Sequence, residues 1–295
     1  MRFTRTKAVV AAAGLALALA GCGEDGGGSS EYEVVENPEF EAGTSLAKFA
    51  EEGSITIGVK TDQPGIGFLE PGAEDPTGFD IEMGKIIAGQ MGISADNITW
   101  KETVSDNREP FLQKGTVDLV LASYSIDDEE RRNIVGQAGP YYVTGQQLLV
   151  AANDDSIGGP EDLDGKKVCS VTGSTSIETV EKEYGAKPIP FDTYSACVNQ
   201  LQNGSVDAVT TDGAILLGYV AQDPENLKVV GPEFSEERYG IGFEKGDTAM
   251  CDFLKKEIEE SYDNGTWEQA FKSTLGESGV ETPEPPAVDD ICFTD

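Results

Sequence analysis

The sequence predicts an α/β fold built as two similar lobes, and three observations carry that expectation. Strand-like and helix-like segments alternate along the chain, the pattern of sheets flanked by helices. One nine-residue unit occurs twice: Leu-Gln-Lys-Gly-Thr-Val-Asp-Leu-Val at 112–120 and Leu-Gln-Asn-Gly-Ser-Val-Asp-Ala-Val at 201–209. The chain of 295 residues is also long for a single hydrophobic core.

Each element follows from its pattern. Residues 54–59 alternate apolar and small or polar, as a half-buried strand does. Residues 78–88 carry apolar side chains at 79, 83, 86 and 87, one face of a helix. The apolar run 117–122 reads as a buried strand, and 147–152 and 167–171 read as two more. A helix is expected over 176–184, with Ile177, Val180 and Tyr184 on one face, and another follows 192. A strand at 206–210, a helix at 214–221 and amphipathic helices at 249–263 and 267–275 complete the series. Phe79, Trp100 and Trp267 read as core.

The repeated unit predicts a helix end, a glycine cap and a buried strand, once per lobe. A spacing of 89 residues is too long for a solenoid. Ser123 and Asp212 each lie three positions past the last valine of their unit. They fall beyond the carboxyl ends of their strands, where open α/β sheets bind ligands. Two such edges facing each other make a cleft with a hydroxyl on one wall and a carboxylate on the other. Asp212 could equally cap the helix that follows it.

The N-terminus predicts export. Arg2, Arg5 and Lys7 precede an apolar run over 8–20, short for a membrane span and right for a signal peptide. The run ends in Leu19-Ala20-Gly21-Cys22, like a bacterial lipoprotein cleavage site, so 1–21 is expected to be removed and Cys22 lipidated. Residues 22–44 then read as a linker, glycine-rich over 23–31. Cleavage leaves about 274 residues, with 18 basic against 54 acidic side chains and a net charge of −36. Such a surface repels nucleic acid. Histidine is absent, which excludes Ser-His-Asp and Cys-His nucleophiles. Besides Cys22 there are Cys169, Cys197, Cys251 and Cys292, without metal-ligand spacing, so no metal site is expected. Three disulfide pairings are possible. Cys169–Cys197 with Cys251–Cys292 is favoured, because each bridge then closes within one expected lobe.

Six motifs in order carry a resemblance: 58–65 (Gly-Val-Lys-Thr-Asp-Gln-Pro-Gly), 77–81 (Thr-Gly-Phe-Asp-Ile), 122–126 (Ala-Ser-Tyr-Ser-Ile) with a following arginine, 139–142 (Gly-Pro-Tyr-Tyr), 169–176 (Cys-Ser-Val-Thr-Gly-Ser-Thr-Ser) and 207–212 (Asp-Ala-Val-Thr-Thr-Asp). Together, over about 45–276, they resemble the polar amino-acid-binding family of ABC-transporter solute-binding proteins, nearest to the actinobacterial glutamate-binding lipoproteins. The resemblance implies a periplasmic-binding-protein-like fold, each lobe a mostly parallel sheet, joined by two hinge strands. Lobe 1 would take 45–145 and 233–276, lobe 2 would take 146–232, and 277–295 would form an irregular tail.

The same resemblance implies the site. Arg131 or Arg132 would hold the ligand carboxylate, with Arg131 favoured if Asp128 is the helix N-cap. Ser174 and Thr175 would help from lobe 2, at a helix start where they could also be plain caps. Asp212 would meet the ammonium, with Ser123 as a hydroxyl or backbone acceptor, and Tyr124 and Ser125 would also be ligand-binding. Lys60, Arg108 and Tyr194 would read the ligand side chain, and two cations in an anionic protein imply an anionic one. The implied activity is capture of an amino acid, glutamate first and aspartate or glutamine next, without catalysis or cofactor. The implied partners are an ABC permease and ATPase, and the implied form is a lipid-anchored extracytoplasmic monomer. A sensory receptor ectodomain, or a dehydratase or lyase on the same fold, stands as the alternative.

Overall fold

The alternating segment near residue 57 and the apolar run near 120 become adjacent parallel strands, with Ile57 opposite Leu119. That pairing is the centre of the first lobe. The computed structural model describes residues 32–126, 129–289 and 292. The expected signal peptide, Cys22 and the glycine-rich spacer lie outside the described residues, as do Asp127 and Asp128.

The chain opens with α1 (Ser45–Glu52), β1 (Ile55–Val59), the short β2 (Asp62–Gln63) and β3 (Gly67–Phe68), and α2 (Phe79–Gln90). Next come β4 (Ile98–Glu102), α3 (Arg108–Gln113), β5 (Leu119–Leu121), α4 (Glu129–Arg132) and β6 (Gly136–Thr144). The middle holds β7 (Gln146–Ala151), β8 (Lys167–Val171), α5 (Thr175–Tyr184), β9 (Lys187–Phe191) and α6 (Tyr194–Gln202). It continues with β10 (Ala208–Asp212), α7 (Gly213–Gln222) and β11 (Leu227–Val230). The chain then returns through β12 (Glu237–Phe243), α8 (Thr248–Asp263) and α9 (Thr266–Lys272).

Two five-stranded sheets result, ordered β4-β1-β5-β12-β6 and β11-β7-β10-β8-β9. The chain crosses between them twice, after Thr144 and before Glu237. As the resemblance implied, each sheet is mostly parallel, with one reversed strand. In the first, β1 pairs parallel with β4 and β5, but β12 runs antiparallel to β5 and β6. In the second, β8 pairs parallel with β9 and β10, but β7 runs antiparallel to β10 and β11. The reversed strands, β7 and β12, are those that immediately follow a crossing. A chain that leaves one lobe must come back in the opposite direction, so it adds reversed strands to sheets otherwise built from crossover helices.

Both copies of the repeated unit fold alike. α3 and α6 end at glycines with left-handed backbones, Gly115 at φ 61° and Gly204 at φ 74°. Their amides donate to Leu112 O and Leu201 O. The strands β5 and β10 follow, one per sheet. Phe79 is fully buried beneath Tyr141, Tyr142, Trp267 and Phe271, with ring centroids 5.4–5.9 Å away.

Both favoured disulfides are present, Cys169–Cys197 and Cys251–Cys292. The second straps the C-terminal tail across β6, the edge strand of the first sheet. There the Asp289 amide donates to Gly139 O at 2.8 Å, and the Gln137 amide donates to Cys292 O at 3.1 Å. Asp289 also pairs with Arg238 on β12 at 2.6 Å. An uncovered sheet edge invites pairing with other chains, and the tail occupies this one. We expect Cys292→Ser to lower unfolding stability by about 2–4 kcal/mol. It should also speed hydrogen exchange at the Gln137 amide. Unchanged protection there would show that the tail does not hold the edge.

Candidate ligand-binding cleft

The cleft is shaped by one buried carboxylate. Asp80, in the first turn of α2, accepts from the Ser123 amide at 2.7 Å and from the Tyr141 hydroxyl at 2.6 Å. Ser123 follows β5 in a left-handed conformation, φ 43°. That conformation costs a non-glycine residue about 1–2 kcal/mol, and the bond to Asp80 offsets it. Burial pushes the Asp80 carboxyl up to about 6, against the pull of its two donors and nearby Lys60.

The turned loop presents a row of carbonyls that gather two arginines. Arg108, the first residue of α3, donates to Ser105 O, Ala122 O and Ser123 O at 3.1–3.3 Å. Arg131 in α4 donates to Ser125 O at 3.1 Å and lies 3.4 Å from the Glu109 carboxylate. Both guanidinium groups lie against the Tyr124 ring, 4.5 and 5.6 Å from its centroid. Tyr124 itself is fully buried, with its hydroxyl on Glu109, so it is the platform under the cations rather than part of the wall. Both arginines reach the other lobe at a single atom: the Gly173 carbonyl accepts from Arg108 at 3.0 Å and from Arg131 at 2.9 Å. Gly173 has φ 75°, and a Cβ there would stand 2.9 Å from the Asp106 backbone. Arg132 turns away and donates to Ile126 O at 2.7 Å.

The opposite wall comes from lobe 2. Ser174 is the N-cap of α5, accepting from the Ile177 amide and donating to Val171 O. Thr175 donates to Glu237, and the buried Ser176 hydroxyl has no partner. Tyr194, the first residue of α6, is buried, and burial together with Asp212 pushes its phenol up to about 12. Asp212 ends β10 at the N-cap position of α7 but makes no side-chain cap bond. It accepts instead from the Tyr239 hydroxyl.

The structure thus brings Arg108, Ser123, Ser125, Arg131, Ser174, Thr175, Tyr194 and Asp212 to one cleft. Lys60 stands just behind it. Its ammonium is buried and donates to Ser105 Oγ at 2.7 Å, and Ser105 lines the wall. Burial, then Arg108, push Lys60 down to about 7. Sequence reasoning missed Ser105, Ser176 and Thr211 on the wall and Glu237 beside it. It also missed Asp62, a lobe 1 residue whose carboxylate accepts from the amides of Tyr194 and Ser195 at 2.7 and 3.2 Å. Asp62 therefore caps a lobe 2 helix from across the cleft.

Asp212 is the most perturbed acid of the wall. Burial, then repulsion from Glu237, push it up to about 8, while Tyr239, Arg108 and Arg131 pull the other way. An unfolded aspartate titrates near 4. Between about pH 4 and 8 the folded protein therefore holds a proton that the unfolded chain has released. Its contribution to stability falls as pH rises through that window. Asp212→Asn should flatten the decline between pH 5 and 8 in denaturant unfolding. A decline as steep as in the wild type would show that Asp212 is ionised throughout.

The model of the family described as bacterial extracellular solute-binding proteins, family 3, matches residues 55–277. A glutamate-binding protein GluB of Corynebacterium efficiens is 38% identical over 294 residues, covering 96% of this chain and 94% of that protein. The ABC transporter glutamine-binding protein GlnH of Bacillus subtilis is 33% identical over 265 residues, covering 89% and 94%. Among solved structures, an ancestral arginine-binding protein bound to glutamine is 37% identical with a TM-score of 0.71, covering 76% of this chain and 98% of that one. A solute receptor for L-cysteine of Neisseria gonorrhoeae is 26% identical with a TM-score of 0.75, covering 82% and 98%.

Proposed function

The chain belongs to the bacterial extracellular solute-binding proteins of family 3, and from that premise we propose that it captures glutamate in the cleft between its lobes and releases it unchanged to an ABC importer. The observation that carries this reading is the asymmetry of the cleft. Two buried guanidinium groups, with Lys60 behind them, face a wall that ends in Asp212. A free amino acid with an anionic side chain needs that distribution: forked cations for its carboxylates and, for its ammonium, an acid that the bound cation itself drives to ionise. The amides that open α5 supply further donors for the α-carboxylate. The glutamate-binding relatives support the choice of amino acid.

In this reading the two crossings between sheets are hinges, and Arg131 and Arg108 exchange part of their hold on Gly173 for the ligand. Arg131 rather than Arg132 takes the α-carboxylate, because only Arg131 turns into the cleft. Cys22 carries the lipid that keeps the monomer at the outer face of the membrane, within reach of its permease and ATPase. Glutamine is the second reading, favoured by the glutamine-binding relative and by the glutamine-bound ancestral structure.

A thermal-shift screen of the twenty amino acids tests this directly. A ligand at 100 times its Kd adds about 2.7 kcal/mol to folding stability. Glutamate should give the largest rise in melting temperature, and no rise with any amino acid would refute the reading. Arg131→Ala should weaken glutamate by about 2–5 kcal/mol, roughly 30-fold to several thousand-fold. Equal affinity in a calorimetric titration would remove Arg131 from the site.

Lys60 offers a pH signature. With its ammonium at about 7 in the free protein, an anionic side chain nearby favours the charged form and glutamate binding takes up a proton. Glutamine has no such charge. The ratio of glutamate to glutamine affinity should therefore fall as pH rises from 7 to 9, and Lys60→Met should abolish the trend. A ratio independent of pH in the wild type would show that Lys60 does not sense the ligand side chain.

A further inference from the structure

Glu237 begins β12, where the chain re-enters lobe 1, and it is buried to 4% exposure. One of its oxygens, Oε2, accepts from Ser125 Oγ of lobe 1 and, at 3.0 Å, from Thr175 Oγ1 of lobe 2. The other, Oε1, accepts from Ser235 Oγ at 3.0 Å. An ionised carboxylate can only accept, so all three hydroxyl protons point at it. A hydroxyl has one proton. Ser125 and Thr175 both line the cleft, and with their protons committed they show it only lone pairs. The Ser123 and Ser174 hydroxyls are in the same condition, donating to Ala122 O and Val171 O.

We propose that Glu237 is a specificity-determining residue that acts from behind the wall: by taking the protons of Ser125 and Thr175 it turns both hydroxyls into obligate acceptors, so that this end of the cleft admits a hydrogen-bond donor, an ammonium group, and rejects a carboxylate. The inference rests on the amino-acid reading and deepens it. It also reassigns Thr175, which the sequence placed on the ligand carboxylate. Asp212 faces the same end, and together they make an ammonium site from one ligand-facing carboxylate and two oriented hydroxyls.

The test compares L-glutamate with glutarate, which keeps both carboxylates and lacks only the amino group. Wild type should prefer glutamate by at least about 100-fold, the scale on which a site built for a donor rejects an analogue lacking it. In Glu237→Gln the side-chain amide can donate, the two hydroxyls are free to turn, and the preference should drop at least tenfold. If that variant does not fold, Ser125→Ala and Thr175→Val give the answer: each should weaken glutamate and leave glutarate unchanged. A preference retained in folded Glu237→Gln overturns the proposal. So does an equal loss for both ligands in Ser125→Ala and Thr175→Val, the result expected if the hydroxyls donate to a ligand carboxylate. In either case wild type still binds glutamate and the functional reading stands; wild type that binds no amino acid overturns both.

Discussion

The site depends on the bond between the Asp80 carboxylate and the Ser123 amide. That bond holds the backbone after β5 in its turned conformation. The turn points the Ala122 and Ser123 carbonyls at Arg108 and the Ser125 carbonyl at Arg131. Two guanidinium groups over one tyrosine ring repel each other, and burial removes the water that would screen them. Carbonyl oxygens, Glu109 and the ring quadrupole replace that solvent. Without the turn, the carbonyls would disperse and the cations would face each other unaided. The Gly-Phe-Asp segment at 78–80 thus does two jobs. Its phenylalanine anchors the aromatic core of lobe 1 and its aspartate sets the loop that builds the cleft.

Much of the architecture was legible because it is local. The repeated helix–glycine–strand unit specifies its own conformation, and both copies fold as read. The disulfides were favoured on lobe membership alone. What was not legible is what depends on distance. Glu237 sits in a run with Glu233 and Glu236, and such a run reads as solvated surface. The fold brings Ser125, 112 positions away in sequence, and Thr175, 62 positions away, onto its carboxylate. Asp62 reads as a turn residue for the same reason, and its partners are 132 and more positions downstream. Lys60, just past β1, was placed on the wall by the family resemblance. The strand end does point there, but Ser105 takes the ammonium and stands in front of it. The one reversed strand in each sheet was not legible, because its direction is a property of the crossings, not of any strand's own residues.

The cleft also shows how polarity can be written into hydroxyls, which are chemically ambivalent groups. Serine and threonine dominate its lining, and a list of them does not say whether they give or receive protons. The answer lies in what stands behind each one. Ser123 and Ser174 are committed by backbone carbonyls, and Ser125 and Thr175 by Glu237. Ser176 alone among these is buried with no partner for its oxygen. Relatives with the same hydroxyls and different backing could therefore read different ligand groups through an unchanged wall.

The cap that Asp62 places on α6 has a consequence for how such molecules can be recombined. Half of that helix's start is furnished by the other lobe, while Thr193 supplies the rest from within. A hybrid that grafted this middle segment onto a foreign scaffold would keep every residue of its own wall and still leave two amides unmet. The lobes are therefore matched parts, and exchanging one by itself would strip its neighbour's helix of a cap.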